Sequence, residues 1–310
     1  MQRDVVVCEV GPRDGLQIAK SIMPTAAKLE WIAAEAAAGV SEIEVCSFVP
    51  PKVVPQFEDA AEVVAGALRI PGLTVKVLVP NRRGAERAFE AGVHEVNYVL
   101  SASESHNRSN VRRSTEESLN DFRGVAELRN SRPEWRRVQL CGSVSTAFGC
   151  TIEGPVAEDA VVRLAEKYVE YGAQKLSIAD TVGYANPAQV KRMFARLREI
   201  VGGVELTGHF HDTRGLGLAN VYAALEAGVR SFDASLGGMG GCPFAPGATG
   251  NIVTEDLVFL LESAGLRTGV DLERLLEVRK IVQRALPDEP LHGAIAKAGV
   301  PVGFVAVPAV

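Results

Sequence analysis

Val204-Glu205-Leu206-Thr207-Gly208-His209-Phe210-His211-Asp212-Thr213 reads as a buried strand that ends in two histidines one residue apart. Successive side chains of a strand alternate faces, so His209 and His211 share one face and Phe210 takes the other. The two lie about two strand rises apart, ~6.6 Å, close enough for their imidazoles to converge on one metal ion. A hydrogen-bonded core pair is the plainer alternative. The chain has only five histidines, however, and two of them fall here beside Asp212, which favours a ligand pair. A helical pattern at 216–227, a stop at Gly228 and a second strand at 230–236 follow. A strand, a helix and another strand in that order make a βαβ unit of a parallel sheet.

The same alternation runs outward through the chain. Val5–Val10 is an apolar run of strand length stopped by Gly11-Pro12, and Arg13-Asp14-Gly15-Leu16-Gln17 is polar and tightly turned. Strands are expected at 42–48, 74–79, 95–101, 137–147 and 175–180, with helices at 25–38, 56–68, 83–91, 115–130, 157–171 and from Asn186-Pro187 onward. Residues 103–108 read as a polar loop. After the strand at 230–236 comes a glycine-rich loop, Gly237-Gly238-Met239-Gly240-Gly241-Cys242, and a helix at about 253–264. Eight strand-then-helix units without a break in composition predict an α/β fold of the (β/α)8, TIM-barrel type. A doubly wound sheet is the alternative, weakened because no G-x-G-x-x-G follows the first strand. The expected organisation is a catalytic barrel over 1–264 and a C-terminal helical appendage over 265–310, packed on the barrel. The tail after Leu286 holds Pro290, Pro301 and Pro308 and is not forced into a helix.

Composition narrows the function. Of 310 residues, 47% are hydrophobic and 23% charged, ordinary for a globular enzyme, and a net charge of −5 without a basic stripe argues against nucleic acid as partner. Five scattered cysteines with no C-x-x-C pair fit a reducing compartment, and Cys8, Cys46 and Cys150 read as core or loop residues. No signal or transit pattern and no membrane-spanning apolar run is visible, so the cytoplasm is the expected location.

Catalytic residues of such barrels gather at the C-terminal ends of the strands. Arg13 and Asp14, Glu44 and Ser47, Asp180, His209 and His211, Cys242 and Asn251 all fall at those ends or in the loops after them. Asp14, His209, His211 and Asn251 offer carboxylate, imidazole and amide oxygen. That set suits Mg²⁺ or Mn²⁺, with Zn²⁺ or Fe²⁺ the next choice. Asp14 alone could equally be a turn residue. Arg13 is a permanently charged donor suited to an oxygen that becomes an enolate. Glu44 is either an active-site carboxylate or the partner of an arginine. Cys242 is either an incidental loop thiol or a group for proton transfer on a mobile loop.

Gly11-Pro12-Arg13-Asp14-Gly15-Leu16-Gln17, Ser47-Phe48-Val49-Pro50-Pro51-Lys52, His209-Phe210-His211-Asp212-Thr213 and Gly240-Gly241-Cys242-Pro243 together resemble the 3-hydroxy-3-methylglutaryl-CoA lyase family over about residues 4–285. The resemblance implies retro-aldol cleavage of an acyl-CoA to acetyl-CoA and an oxo acid. It implies Asp14, His209, His211 and Asn251 as ligands of Mg²⁺ or Mn²⁺, and Arg13 as the enolate stabiliser. Cys242 would act in proton transfer, Glu44 and Asp180 as supporting carboxylates, and His209 as a possible base. Gln17, Ser47, Ser177 and Arg214 are the candidate substrate contacts, while Lys20, Lys52 and Arg108 are placed where a phosphate of CoA could be met. The implied partner is a CoA thioester, not a nucleic acid or a membrane, and the implied assembly is a homodimer.

Departures from the family pattern bear on the substrate. Where the family reads Arg-Gly-Tyr-Val-Ser on strand five, this chain has Cys141-Gly142-Ser143-Val144-Ser145. Val53 and Arg214 replace the family's Trp and Tyr, and Arg214 is expected to make up in part for the missing strand-five cation. A citramalyl-CoA type of substrate, an isopropylmalate- or homocitrate-type condensing synthase, and a non-catalytic metal- or CoA-binding barrel are the alternatives. The Gly-Gly-Cys-Pro loop and the lack of a long C-terminal regulatory domain speak for the lyase.

Overall fold

The computed structural model describes residues 3–241 and 250–307. Eight strands, β1 Val6–Glu9, β2 Glu42–Ser47, β3 Thr74–Val79, β4 Glu95–Ser101, β5 Gln139–Ser145, β6 Lys175–Asp180, β7 Glu205–Phe210 and β8 Ser231–Ala234, close into a barrel in sequential order. Every neighbouring pair is parallel, including β8 with β1. The TIM barrel read from the strand–helix alternation is the fold found. Around it run α1 Thr25–Ala37, α2 Ala60–Ala67, α3 Arg82–Ala91, α4 Glu104–Val111, α5 Thr115–Ser131, α6 Glu158–Glu170, α7 Pro187–Val201, α8 Gly217–Glu226 and α9 Thr254–Ser263. Most of the apolar core lies between these helices and the outward faces of the strands.

Two stretches differ from the sequence expectation. Residues 103–108 do not form a loop: Ser103 caps α4, its hydroxyl accepting from the His106 amide at 3.2 Å. The side chains this helix buries are His106 and Asn107, so it carries no apolar stripe to announce it. Asn107 holds it down instead, accepting from the Ser101 amide at 2.9 Å and donating to Ser118 at 2.8 Å. In the tail, Ala294–Ala298 forms one short helix, α11, after α10 Leu272–Ala285. The Asp271 amide, just before α10, bonds the Ala38 carbonyl at the end of α1, and α10 lies against α1. Beyond α10 the chain returns to the barrel mouth. The His292 amide donates to Gly237 O at 2.7 Å and the Lys20 amide to Glu289 at 2.7 Å.

Many of the side chains inside the barrel are polar. At the N-terminal end, Lys76 and Lys175 meet the buried Glu95 at 3.1 and 3.0 Å, with Glu42 beside them. Charges so far from water persist only in pairs, and this cluster closes the floor. Above it the interior carries Asn97, Cys141, Ser143 and Ser177, which leave space for a ligand where larger apolar residues would fill it. On the outer face of β5, a Cβ added to Gly142 would fall 2.4 Å from the Tyr168 ring, itself edge-on to Phe122 at 4.7 Å. Gly142→Ala is therefore expected to destabilise the fold by about 1–3 kcal/mol through overpacking, read as a lower urea midpoint with an unchanged m-value.

Candidate active site

Arg13 and Asp14 lie in a single helical turn of π type, Gly11–Gly15, directly after β1. Glu9, the last residue of β1, anchors it. Its carboxylate accepts from the Gly11 amide at 2.7 Å, the Leu236 amide at 2.9 Å and the Thr254 hydroxyl at 2.7 Å. One buried side chain thus ties the loop after β1 to the loop after β8. The guanidinium of Arg13 is held from two sides, with Nε on Glu44 and Nη1 on Asp14 at 2.5 Å. Glu44 sits where the β2–β3 register shifts, and its other oxygen accepts from Asn97 Nδ2 at 2.9 Å. Glu44 is thus paired with Arg13.

Across the mouth, β7 delivers the histidines. His209 Nε2 and His211 Nε2 are 3.2 Å apart, and Asp14 Oδ2 lies 3.9 and 3.8 Å from them. His209 aligns with Asp233 across the β7–β8 pairing, and its Nδ1 meets Asp233 Oδ2 at 3.2 Å. Ser177 Oγ reaches the same oxygen at 3.3 Å. An Nδ1–H given to a carboxylate leaves the Nε2 lone pair directed at the cluster. Burial would raise the Asp14 carboxyl, but Arg13 and both histidines bring it down to about 2. Burial, and then His209, hold His211 down to about 4. Burial would lower His209 as well, yet the bond and charge of Asp233 leave it above the ordinary histidine value.

An ionised carboxylate and two imidazoles around one point are the donor set of a divalent metal. Asn251 adds to the fit. The short segment around it bridges to His211, and Asn251 Nδ2 donates to Asp14 Oδ2 at 2.7 Å and Met239 O at 3.1 Å. Its Oδ1 is buried with no hydrogen-bond partner among the described residues, a further oxygen available at the rim of the cluster. Because Asp233 orients His209, Asp233→Asn is expected to weaken divalent-metal binding about 10- to 100-fold, measured by calorimetric titration with Mn²⁺.

The other residues singled out from sequence are placed differently. Gln17 lines the cavity below the mouth. Ser47 is buried and accepts from the Val49 amide at 3.3 Å. Asp180 turns its carboxylate into the loop after β6, accepting from the Tyr184 and Ala185 amides at 2.8 and 3.0 Å, and burial pushes it up to about 6. Arg214 is not brought into the cavity. Its Nη1 donates to Val182 O at 2.8 Å and its guanidinium stacks on Tyr184 at 4.6 Å, so it braces that loop. Lys20, Lys52 and Arg108 are exposed. Cys242 lies outside the described residues. Asp233 escaped the sequence reading, although a lone acid in the apolar run before the glycine loop was a usable signal.

A parallel barrel that joins an arginine, a carboxylate and two imidazoles at the C-terminal mouth is equipped for metal-assisted chemistry on an oxygen that gains charge. The chain belongs to the HMGL-like family, whose model matches residues 4–282. It is 43% identical over 284 residues to hydroxymethylglutaryl-CoA lyase YngG of Bacillus subtilis (strain 168), covering 92% of this chain and 94% of that one. It is 41% identical over 286 residues to the mitochondrial hydroxymethylglutaryl-CoA lyase of Homo sapiens, covering 92% and 87%. Among solved structures, an HMG-CoA lyase from Acinetobacter baumannii in complex with coenzyme A and 3-methylmalate matches with a TM-score of 0.90 and 43% identity over 98% of both chains. No helix among the described residues is long and apolar enough to cross a membrane.

Proposed function

We propose that this protein is a carbon–carbon lyase that cleaves 3-hydroxy-3-methylglutaryl-CoA, or a close 3-hydroxyacyl-CoA, to acetyl-CoA and an oxo acid. The observation that carries the reading is the meeting of Arg13, Asp14, His209 and His211 at one barrel mouth, in a chain 43% identical to a lyase of that name along nearly its whole length. Asp14, His209 and His211, with Asn251 beside them, would hold the divalent ion, for which Mg²⁺ or Mn²⁺ is the choice. Such an ion acidifies an alcohol bound to it and offsets the charge of a neighbouring carboxylate.

The chain's own groups supply the rest. Asp233 fixes the tautomer of His209. Glu44 and Asp14 take Nε and Nη1 of Arg13, so the donors left to a substrate are chiefly those of Nη2. A guanidinium held this way is set before the reaction begins to receive the thioester oxygen as it turns into an enolate oxygen. As the C2–C3 bond breaks, the hydroxyl proton passes to a water beside Asp14, the hydroxyl oxygen becomes a ketone oxygen, the electron pair of the bond passes to C2, and C2 takes up a proton. Cys242 is the proposed donor of that proton. His209 cannot be ligand and base together, since Nδ1–H is given to Asp233 and Nε2 is its one lone pair. A cytoplasmic homodimer belongs to the same reading.

Mass spectrometry after incubation with 3-hydroxy-3-methylglutaryl-CoA and Mg²⁺ tests it. Equal amounts of acetyl-CoA and acetoacetate are expected, and none once the metal is chelated. Turnover undiminished by chelation would refute the metal-dependent step.

A further inference from the structure

Three carboxylates are wholly buried between β1 and the helices beside it: Glu9 at the end of β1, Glu35 on α1 and Glu255 on α9. Among the described residues one cation comes within ion-pair distance of any of them. It is Arg279 of α10, and it meets Glu255. The bonds of this arginine close a ring. Its Nη1 donates to Glu255 Oε1 and to His292 O, the latter at 2.8 Å. Glu255 Oε2 accepts from the Gly237 amide at 3.0 Å, and Gly237 O accepts from the His292 amide at 2.7 Å. Gly237 is thus held at its amide and at its carbonyl, and both holds lead back to one nitrogen of Arg279. It sits at a φ of +63° in the single turn Leu236–Gly238 after β8, where a Cβ would fall 2.9 Å from Leu291. The returning C-terminal segment is packed against the turn at that point.

The same turn bears on the one that carries Arg13 and Asp14. The Leu236 amide donates to Glu9 Oε1 at 2.9 Å, beside the Gly11 amide that opens the catalytic turn. Two residues past Gly237, Met239 O accepts from Asn251 Nδ2, which also donates to Asp14 Oδ2. There is no slack between the two turns. A Cβ added to Gly240 would fall 3.1 Å from Asp14 O, and one added to Gly15 would fall 2.9 Å from Met239 Cβ. A shift of the turn after β8 is therefore passed on to Asp14 and Arg13. The charge of Glu255 matters to how firmly that turn is held. Burial raises its carboxyl and Arg279 is the chief opposing influence, so without the guanidinium the acid would tend to take up a proton. An ionised acceptor bonds an amide about twice as strongly as a neutral one.

We propose that Arg279 is a positioning residue of the active site: through Glu255 and His292 it fixes the turn Leu236–Gly238, and through that turn the placement of Arg13 and Asp14. The C-terminal helix α10 is then a working part of the barrel mouth and not only a cover for α1. The inference rests on the lyase reading for the reaction which that placement serves.

The test is Arg279→Gln, followed by kcat and KM on 3-hydroxy-3-methylglutaryl-CoA with Mg²⁺, by Mn²⁺ affinity from calorimetric titration and by melting temperature. Both kcat and Mn²⁺ affinity are expected to fall about fivefold to tenfold, with KM changed less than about twofold, since a misplacement of about 1 Å caused far from the chemistry costs up to about 10²-fold. Arg279→Lys should restore most of both, because a single nitrogen makes both of the bonds in question. Should Arg279→Gln fold poorly, adding Glu255→Gln leaves no charge of that pair buried alone, and the same two losses are expected. A lower melting temperature with kcat and Mn²⁺ affinity unchanged, in whichever variant folds, overturns the proposal and leaves the lyase reading standing. Failure of the natural protein to cleave the thioester overturns the lyase reading instead, and the Mn²⁺ titration then decides by itself whether Arg279 sets Asp14.

Discussion

Asp14→Asn is expected to lower kcat by about 10³-fold, since a divalent ion supplies several kcal/mol to such a reaction and each ~1.4 kcal/mol is tenfold. Asp14 is the one carboxylate in the ligand group, and its neighbours hold it ionised far below neutral pH. The amide that replaces it has the same shape but no charge to hold a cation. Asn251 Nδ2 would then face an amide where it now meets an anion, a smaller loss. Arg13 keeps Glu44, so no charge is stranded in the barrel. Mn²⁺ titration and melting temperature separate the effects. Loss of metal binding in a protein that still melts cooperatively supports the assignment; tight Mn²⁺ binding by the variant would refute it.

Arg13→Gln should have the second largest effect, a fall in kcat of about 10²- to 10³-fold, the usual cost of removing a positioned donor from a developing oxyanion. The ligand group is untouched, so Mn²⁺ affinity should persist. Stability should drop, because Glu44 is buried and loses its cation, a break that costs about 3–5 kcal/mol. Arg13→Lys is not expected to rescue activity. A point ammonium cannot reach Glu44, Asp14 and a substrate oxygen at once as the planar guanidinium can. Full activity in the lysine variant would mean that charge alone, and not the fork, is what the site uses.

Much of this arrangement was legible in the chain before its fold was known, and for a physical reason. In a parallel barrel every strand ends at the same rim, so a polar motif at a strand end declares both its location and its company. Arg13-Asp14 after β1 and His209-x-His211 at the end of β7 could be brought together on that rule alone. What stayed hidden depends on register and side-chain direction. Asp233 is an ordinary acid in sequence, and only the alignment of β7 with β8 sets it behind His209. Asp180 and Arg214 stand at the right strand ends, yet hydrogen bonds to the loop after β6 draw both away from the cavity. Helix α4 gave no periodic signal because its buried residues are polar. The fate of Cys242 lies outside the described residues.

The central claim is that one cluster from β1 and β7 holds the ion on which cleavage depends. Anomalous diffraction from crystals grown with Mn²⁺ tests it most directly. A single strong peak bonded at about 2.0–2.3 Å to a carboxylate oxygen of Asp14 and to Nε2 of both His209 and His211 is the predicted result. Manganese bound elsewhere, with that cluster empty in protein that still turns over, would contradict it.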